Sequence, residues 1–354
     1  MNKEILEKLI SFNTVSNQSN LELINFAKNY FLGLGYKTTV IGEGSHVNIF
    51  AYKDCDKRII LSAHSDTVPP SDNWTKDPLS LTEDDGKYFG LGTVDMKSFI
   101  AIMFDLAKKY QHKNNLAFLL TFNEEVDFAG AELINEKIIT PSDIVIIGEP
   151  TNCKAIFQTK GIASYKITFK GIGGHGSEPE KGISAIEQAA KFILIFKEKF
   201  MDISKTFSDD SFYNPLSSLN FGIINGGEAL NKIAENTEVS FAIRTTKKSL
   251  VTDIDKLLYE IQKKSNIEID IIKTLGCDIF KGSPRIKKLI SDNMIPSQPG
   301  VSYATEATVY NKLTKNVVIF GPGDIKMAHK ADEFIEIKQI EKYESMIHKF
   351  IENL

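Results

Sequence analysis

The chain has 354 residues, with 42 Lys and Arg against 46 Asp and Glu and a formal net charge of −4. That length accommodates two domains with separate cores, and the near balance of charge, without any basic run, excludes an electrostatic nucleic-acid binder. Cys55, Cys153 and Cys277 are odd in number and far apart, so neither a disulfide framework nor a paired zinc motif is expected.

No run of about 18 apolar residues occurs, which excludes a membrane-spanning helix. The charged start, Met1 to Glu7, enters an amphipathic helix without an apolar targeting core, so a soluble, cytoplasmic protein is expected. Helices are predicted over 4–12 and 20–34, the second capped by Ser19-Asn20 and closed by Gly33 and Gly35. Strands are predicted over 37–41 and 47–52.

The next segment, Ile59-Ile60-Leu61-Ser62-Ala63-His64-Ser65-Asp66-Thr67-Val68-Pro69-Pro70, organises the chain. An apolar strand carries a histidine and an aspartate to its carboxyl end, and the two prolines forbid further pairing. Positions i and i+2 of a strand face the same way, so the Asp66 carboxylate can hold one ring nitrogen of His64 while the other binds metal. The competing reading is a strand end with a buried histidine and a capping aspartate.

Gly92-Thr93-Val94-Asp95-Met96-Lys97 then leads into a helix over 98–110 that is apolar nearly all round and therefore buried. Apolar strands over 115–122 and 143–147 end in Asn123-Glu124-Glu125 and Gly148-Glu149-Pro150. Such a pattern describes an α/β sheet with its site at the strand carboxyl ends.

From about residue 163 the pattern changes to strand 165–169, helix 183–200, strands 219–224 and 238–245, helix 251–264 and strand 267–272. This βαββαβ order is that of a ferredoxin-like domain, inserted over 160–275 between the two parts of the first domain, 1–159 and 276–354. Strand 316–320, the Gly321-Pro322-Gly323 turn, Ala328-His329-Lys330-Ala331-Asp332-Glu333 and an amphipathic helix from Ile337 complete the chain.

His64, Asp95, Glu125, Glu149 and His329 form the candidate metal set. Imidazoles and carboxylates without thiolates suit zinc or another divalent first-row ion at a catalytic site. A two-ion site needs a bridging carboxylate, for which Asp95 is the choice. Glu124, beside a ligand, is the candidate general base, against the competing reading of Glu124-Glu125 as a solvated turn.

These segments, in this order, resemble the dinuclear zinc aminoacylase, desuccinylase and acetylornithine deacetylase family over nearly the whole chain. The resemblance implies a zinc-peptidase-like α/β catalytic domain with the insertion mediating homodimerisation. It implies that His64 and Glu149 bind one ion, Glu125 and His329 the other, and Asp95 both, with zinc expected and cobalt an alternative. Asp66 would orient, and Glu124 would serve as base and then proton donor.

Within the family, Ser302-Tyr303-Ala304-Thr305-Glu306-Ala307 and the segment around His329 resemble the acetylornithine deacetylase branch more than the desuccinylase branch. Leu91 also fits that branch, whereas Ser98 replaces a glycine common there. The branch implies removal of acetate from N-acetyl-L-ornithine in arginine biosynthesis. Succinyl-diaminopimelate, acetylcitrulline and dipeptides are the alternatives.

Gly173-Gly174-His175-Gly176-Ser177 is a flexible turn whose histidine would stabilise an oxyanion, by resemblance in the partner subunit's site; otherwise it is a loop histidine. Asn231 and Arg244 resemble residues that grip the substrate carboxylate, which the planar fork of Arg244 suits, although a structural ion pair is the competing reading. Thr305 would line the pocket. Glu306 would meet a distal ammonium or support the site from behind.

Overall fold

The computed structural model describes residues 1–354 and divides into two compact units, 1–157 with 281–298 and 305–354, and 158–280 with 299–304. The predicted division at 160 and 275 differs by a few residues and leaves 299–304 in the first domain. In the structure the Val301 amide donates to Gln158 O at 3.2 Å and the Gly300 amide to Ser211 O at 2.9 Å, which ties that turn to the second unit.

The first unit is built on a six-stranded sheet in the order Lys37–Glu43, His46–Tyr52, Leu116–Thr121, Ile59–His64, Ile144–Ile147, Val317–Ile319. The first two strands pair antiparallel, whereas the last four run parallel. Ile59–His64 and Leu116–Thr121 are buried at every position, as expected of strands covered on both faces. Register places His64 opposite Thr121 and Ser62 opposite Ile147. The carboxyl ends of these strands therefore deliver His64, Glu124-Glu125 and Glu149 to one edge of the sheet.

Helices Lys3–Ser11, Leu21–Gly33, Ser98–Lys109 and Ile337–Glu352 contribute to the core of this unit. Phe104 packs against Tyr30 and Phe31 at centroid distances of 4.6 and 5.1 Å, and Tyr343 lies between Phe99 and Phe320. The Phe99 ring lies so close to Gly148 that a Cβ there would fall 2.1 Å from it. Only glycine lets the helix approach the strand at the step before Glu149.

Asn20 departs from the expected cap. Its side chain bonds the amide and carbonyl of Val47 and Ser65 Oγ, so it ties the first long helix to the sheet, while the Leu21 amide takes Ser19 Oγ instead. A three-stranded sheet (Thr82–Asp84, Lys87–Phe89, Phe334–Glu336) and the helix Pro284–Asp292 were not foreseen.

The second unit carries an antiparallel sheet in the order Ser218–Gly226, Asn236–Thr245, Gly161–Lys170, Glu268–Cys277, with helices Ala185–Thr206 and Lys248–Lys264. Tyr165, Ile167, Phe169, Val239, Phe241 and Ile243 turn inward to a core of their own. The strands run longer than predicted because their outward positions, such as Lys166, Thr168 and Glu238, are polar and blur the apolar signal.

Gly148→Ala is expected to destabilise the chain by about 1–3 kcal/mol, toward the upper end, read by urea unfolding. A loss below about 1 kcal/mol would mean that the helix is free to move back.

Candidate metal centre

His64 ends its strand fully buried. Its Nδ1 bonds the main-chain oxygen of Asp66 at 2.9 Å, which leaves Nε2 facing Asp95 Oδ1 at 3.0 Å and Glu149 Oε1 at 3.9 Å. The Asp66 carboxylate was expected to hold that ring; its nearer oxygen stands 3.7 Å from Nδ1. Its hydrogen bonds are made elsewhere, since it accepts from the amides of Glu124 at 3.1 Å and Glu125 at 3.3 Å and from Ser16 Oγ at 2.8 Å. Asp66 thus orients the histidine through its backbone and the two glutamates through its side chain.

Asn123, at φ 55°, turns the chain out of the strand so that Glu124 and Glu125 both enter the site. Glu125 Oε1 lies 2.9 Å from His329 Nε2, which is 3.5 Å from Asp95 Oδ2. The two oxygens of Asp95 therefore face different histidines. One side gathers His64 and Glu149, and the other Glu125 and His329. Ligand atoms of His64, Asp95 and Glu125, and of His64, Glu124 and Glu149, lie within 4.8 Å of one another.

Asp95 sits in an irregular turn after Gly92, whose φ of 80° is left-handed, and its peptide bond to Met96 is cis. Glu333 anchors that turn through the amides of Gly92, Val94 and Asp95 at 3.0, 2.8 and 3.1 Å. Neither Glu333 nor Ser16 was singled out from the sequence. The only signal for Glu333 was its place in the segment that carries His329, and Ser16 gave none.

Crowding sets the charge states. Burial and the neighbouring Glu149 hold the Glu124 carboxyl well above the usual range, and burial and Asp95 do the same to Glu149. Burial opposes a charge on His64, but Asp95 outweighs it and holds the ring protonated. His329 is pushed up to about 10 by hydrogen bonds to Asp95 and Glu125. Burial would raise Asp95, yet the two histidines hold it below the ordinary range. Hard oxygen and imidazole donors, with the buried Glu149 Oε1 lacking a hydrogen-bond partner, fit divalent cations.

Glu306 is enclosed, with 1% of its surface exposed, so it does not face an arriving ammonium. Its Oε2 accepts from the Tyr310 hydroxyl at 2.9 Å, its Oε1 has no partner, and burial pushes it up to about 7. The Tyr310 hydroxyl in turn accepts from Ser62 Oγ, so the group supports the strand of His64. Thr305 is buried as well, with its Oγ1 accepting from the Ala307 amide.

His175, Asn231 and Arg244 belong to the second unit. The Gly176 amide donates to Asn231 O at 2.8 Å, which brings His175 and Asn231 together on one exposed pair of loops. Arg244 is not with them. It pairs in register with Ser218, at the far end of a hairpin whose other end is Thr237 opposite Gly226, about 24 Å away at the rise of an extended strand.

In the metal-free protein, groups with raised pKa values keep protons that the unfolded chain releases, so their stabilisation is present at low pH and lost as pH rises. Glu306 at about 7 and His329 at about 10 share that sign. Stability of metal-stripped protein, read by urea unfolding, should therefore fall between about pH 5 and 7, above which the buried Lys97, held down to about 7 by desolvation, acts with the opposite sign; zinc should flatten the slope by displacing protons. A stability that rises through this window without metal would contradict these charge states.

Residues 60–353 match the model of peptidase family M20/M25/M40. An acetylornithine deacetylase of Buchnera aphidicola (subspecies Schizaphis graminum) is 35% identical over 99% of this chain and 97% of its own. One of Proteus mirabilis is 32% identical over 99% and 96%. Among solved structures, an M20 family metallo-carboxypeptidase from Sulfolobus solfataricus has a TM-score of 0.81 at 17% identity, covering 99% of both chains. A Staphylococcus aureus tripeptidase has a TM-score of 0.79 at 18% identity, covering 99% of this chain and 96% of its own. All five candidate ligands fall within the matched span, and the chain is a hydrolase of peptidase family M20/M25/M40.

Proposed function

We propose that this protein removes the acetyl group from N-acetyl-L-ornithine, giving acetate and L-ornithine for arginine synthesis in the cytoplasm. The division of Asp95 between two histidines carries the two-ion reading, with His64 and Glu149 holding one ion and Glu125 and His329 the other. The near full-length likeness to relatives named acetylornithine deacetylase supports the substrate. When bound, two divalent ions, zinc or cobalt, supply Lewis acidity at the acyl oxygen and lower the pKa of water.

The chain's own residues do the rest. Glu124 lies in the group with His64 and Glu149, and its raised pKa suits a carboxylate that gains and returns a proton. It takes the proton of the attacking water and delivers it to the amide nitrogen as the C–N bond breaks. Arg244 holds the α-carboxylate through its planar fork, with Asn231 as a further donor, while Thr305, as enclosed as Glu306, supports the pocket from behind. His175 Nδ1 is engaged locally, 2.6 Å from Ser177 Oγ and accepting from the Ser177 amide at 3.3 Å, and this supports a role in which its Nε2 donates to the oxyanion. Glu306 takes the supporting role, because it is enclosed.

The separation of Arg244 from His175 and Asn231 favours a homodimer in which the latter pair serves the partner's site. Exposed apolar side chains on the second unit support that reading. Ser218–Gly226 is an edge strand with exposed Ile223 and Ile224, and the helix Ala185–Thr206 exposes Ile186, Leu194 and Met201 at helical spacing.

Three outcomes follow. Glu124→Gln should lower turnover by two to four orders of magnitude, about 3–5 kcal/mol in the barrier, with metal content unchanged; near-normal turnover would remove Glu124 from the base role. Heterodimers of His175→Ala and Glu124→Gln chains should recover activity that neither homodimer has, and none would recover if His175 acts in its own subunit. Zinc-loaded enzyme should release amine from N-acetylornithine and not from N-succinyl-diaminopimelate. The reverse preference would overturn the substrate and keep the ion chemistry.

A further inference from the structure

Glu333 lies four residues beyond His329 and is buried at the start of the strand Phe334–Glu336. That strand pairs with Lys87–Phe89, and the Glu333 carbonyl accepts from the Gly90 amide at 3.1 Å and from Thr93 Oγ1 at 3.3 Å, so its backbone is fixed. From this fixed point the carboxylate collects three amides of the turn that carries Asp95. Its neighbour Asp332 accepts from the amides of Thr75 and Lys76 and from Thr75 Oγ1 at 2.6 Å. The two acids tie the His329 segment to two other loops.

We infer that Glu333 is a positioning residue that fixes Asp95 relative to His329 and so assembles the binding site of the second ion. The inference rests on the two-ion reading and concerns one half of it. The first ion shares Asp95 but keeps His64 and Glu149, which come from the carboxyl ends of parallel strands whose placement does not depend on Glu333. His329 and Asp95 come from the two segments that Glu333 joins, and Asp95 Oδ2 meets His329 at 3.5 Å only while that junction holds. The geometry requires a carboxylate. In Glu333→Gln the amide oxygen still accepts from Val94 and Asp95, but the NH2 group then faces the Gly92 N–H, donor against donor. Glu333→Asp keeps the charge and withdraws it by one methylene.

The test titrates zinc into metal-stripped wild type, Glu333→Gln and Glu333→Asp against a competing chelator, with unfolding curves taken alongside and the visible spectrum of cobalt-loaded protein as a geometric readout. Wild type should bind two ions per chain. Both variants should hold the tighter ion within a few-fold of wild type and bind the other about 10- to 100-fold more weakly, with a changed cobalt spectrum at the second equivalent. A purely architectural Glu333 would lower the unfolding midpoint and leave both affinities and the spectrum unchanged, which would overturn the inference. Should Glu333→Gln not fold, Glu333→Asp alone decides between the same outcomes. A wild-type chain that binds one ion would remove the two-ion reading, and this inference with it.

Discussion

Buried carboxylates crowd together at the carboxyl ends of parallel strands, and the catalytic unit is arranged around their mutual repulsion. Glu124, Glu149 and Glu125 arrive there because the strands that precede them are parallel and in register. Asp95 joins them from a turn. Left to itself such a cluster ionises only at a large cost in desolvation and repulsion, and in the metal-free chain it holds protons and protonated histidines instead. A divalent cation is the natural replacement for those protons, and proton release ties binding to pH.

Backbone amides hold the cluster in shape. Asp66 collects those of Glu124 and Glu125, and Glu333 collects those of the Asp95 turn. In each case a carboxylate outside the candidate ligand set fixes the main chain of residues in or beside that set, so side-chain aim follows from backbone position. Glycines enter on the same terms. Gly148 admits the Phe99 ring beside Glu149, and Gly92 adopts the left-handed turn in front of Asp95, where a Cβ would also fall 2.8 Å from the Thr67 methyl group.

Much of this was legible in the residues. Apolar strands ending in His64, Glu125 and Glu149 announce a parallel sheet with polar ends, and the βαββαβ order of the second unit is visible in its alternation. Partners that lie far apart in sequence and offer only common residue types were not legible. Asn20 looked like a helix cap and is a tie between helix and sheet, because the amide and carbonyl of Val47 offer its side chain a better-matched pair of partners. Asp66 looked like a ring orienter, and its carboxylate instead satisfies amides that strand pairing leaves open. Glu306 was open to two readings, a contact to a distal ammonium or a support from behind, and Tyr310, one helical turn later and absent from either reading, encloses it.

In the proposed two-ion centre Asp95 is shared and the other four ligands divide two and two. Anomalous scattering from crystals of the zinc-loaded protein, collected on either side of the zinc edge, tests it most directly. Two peaks per chain are expected, one beside His64 and Glu149 and the other beside Glu125 and His329, with Asp95 touching both. A single peak, or a second one held by residues outside this set, would contradict it.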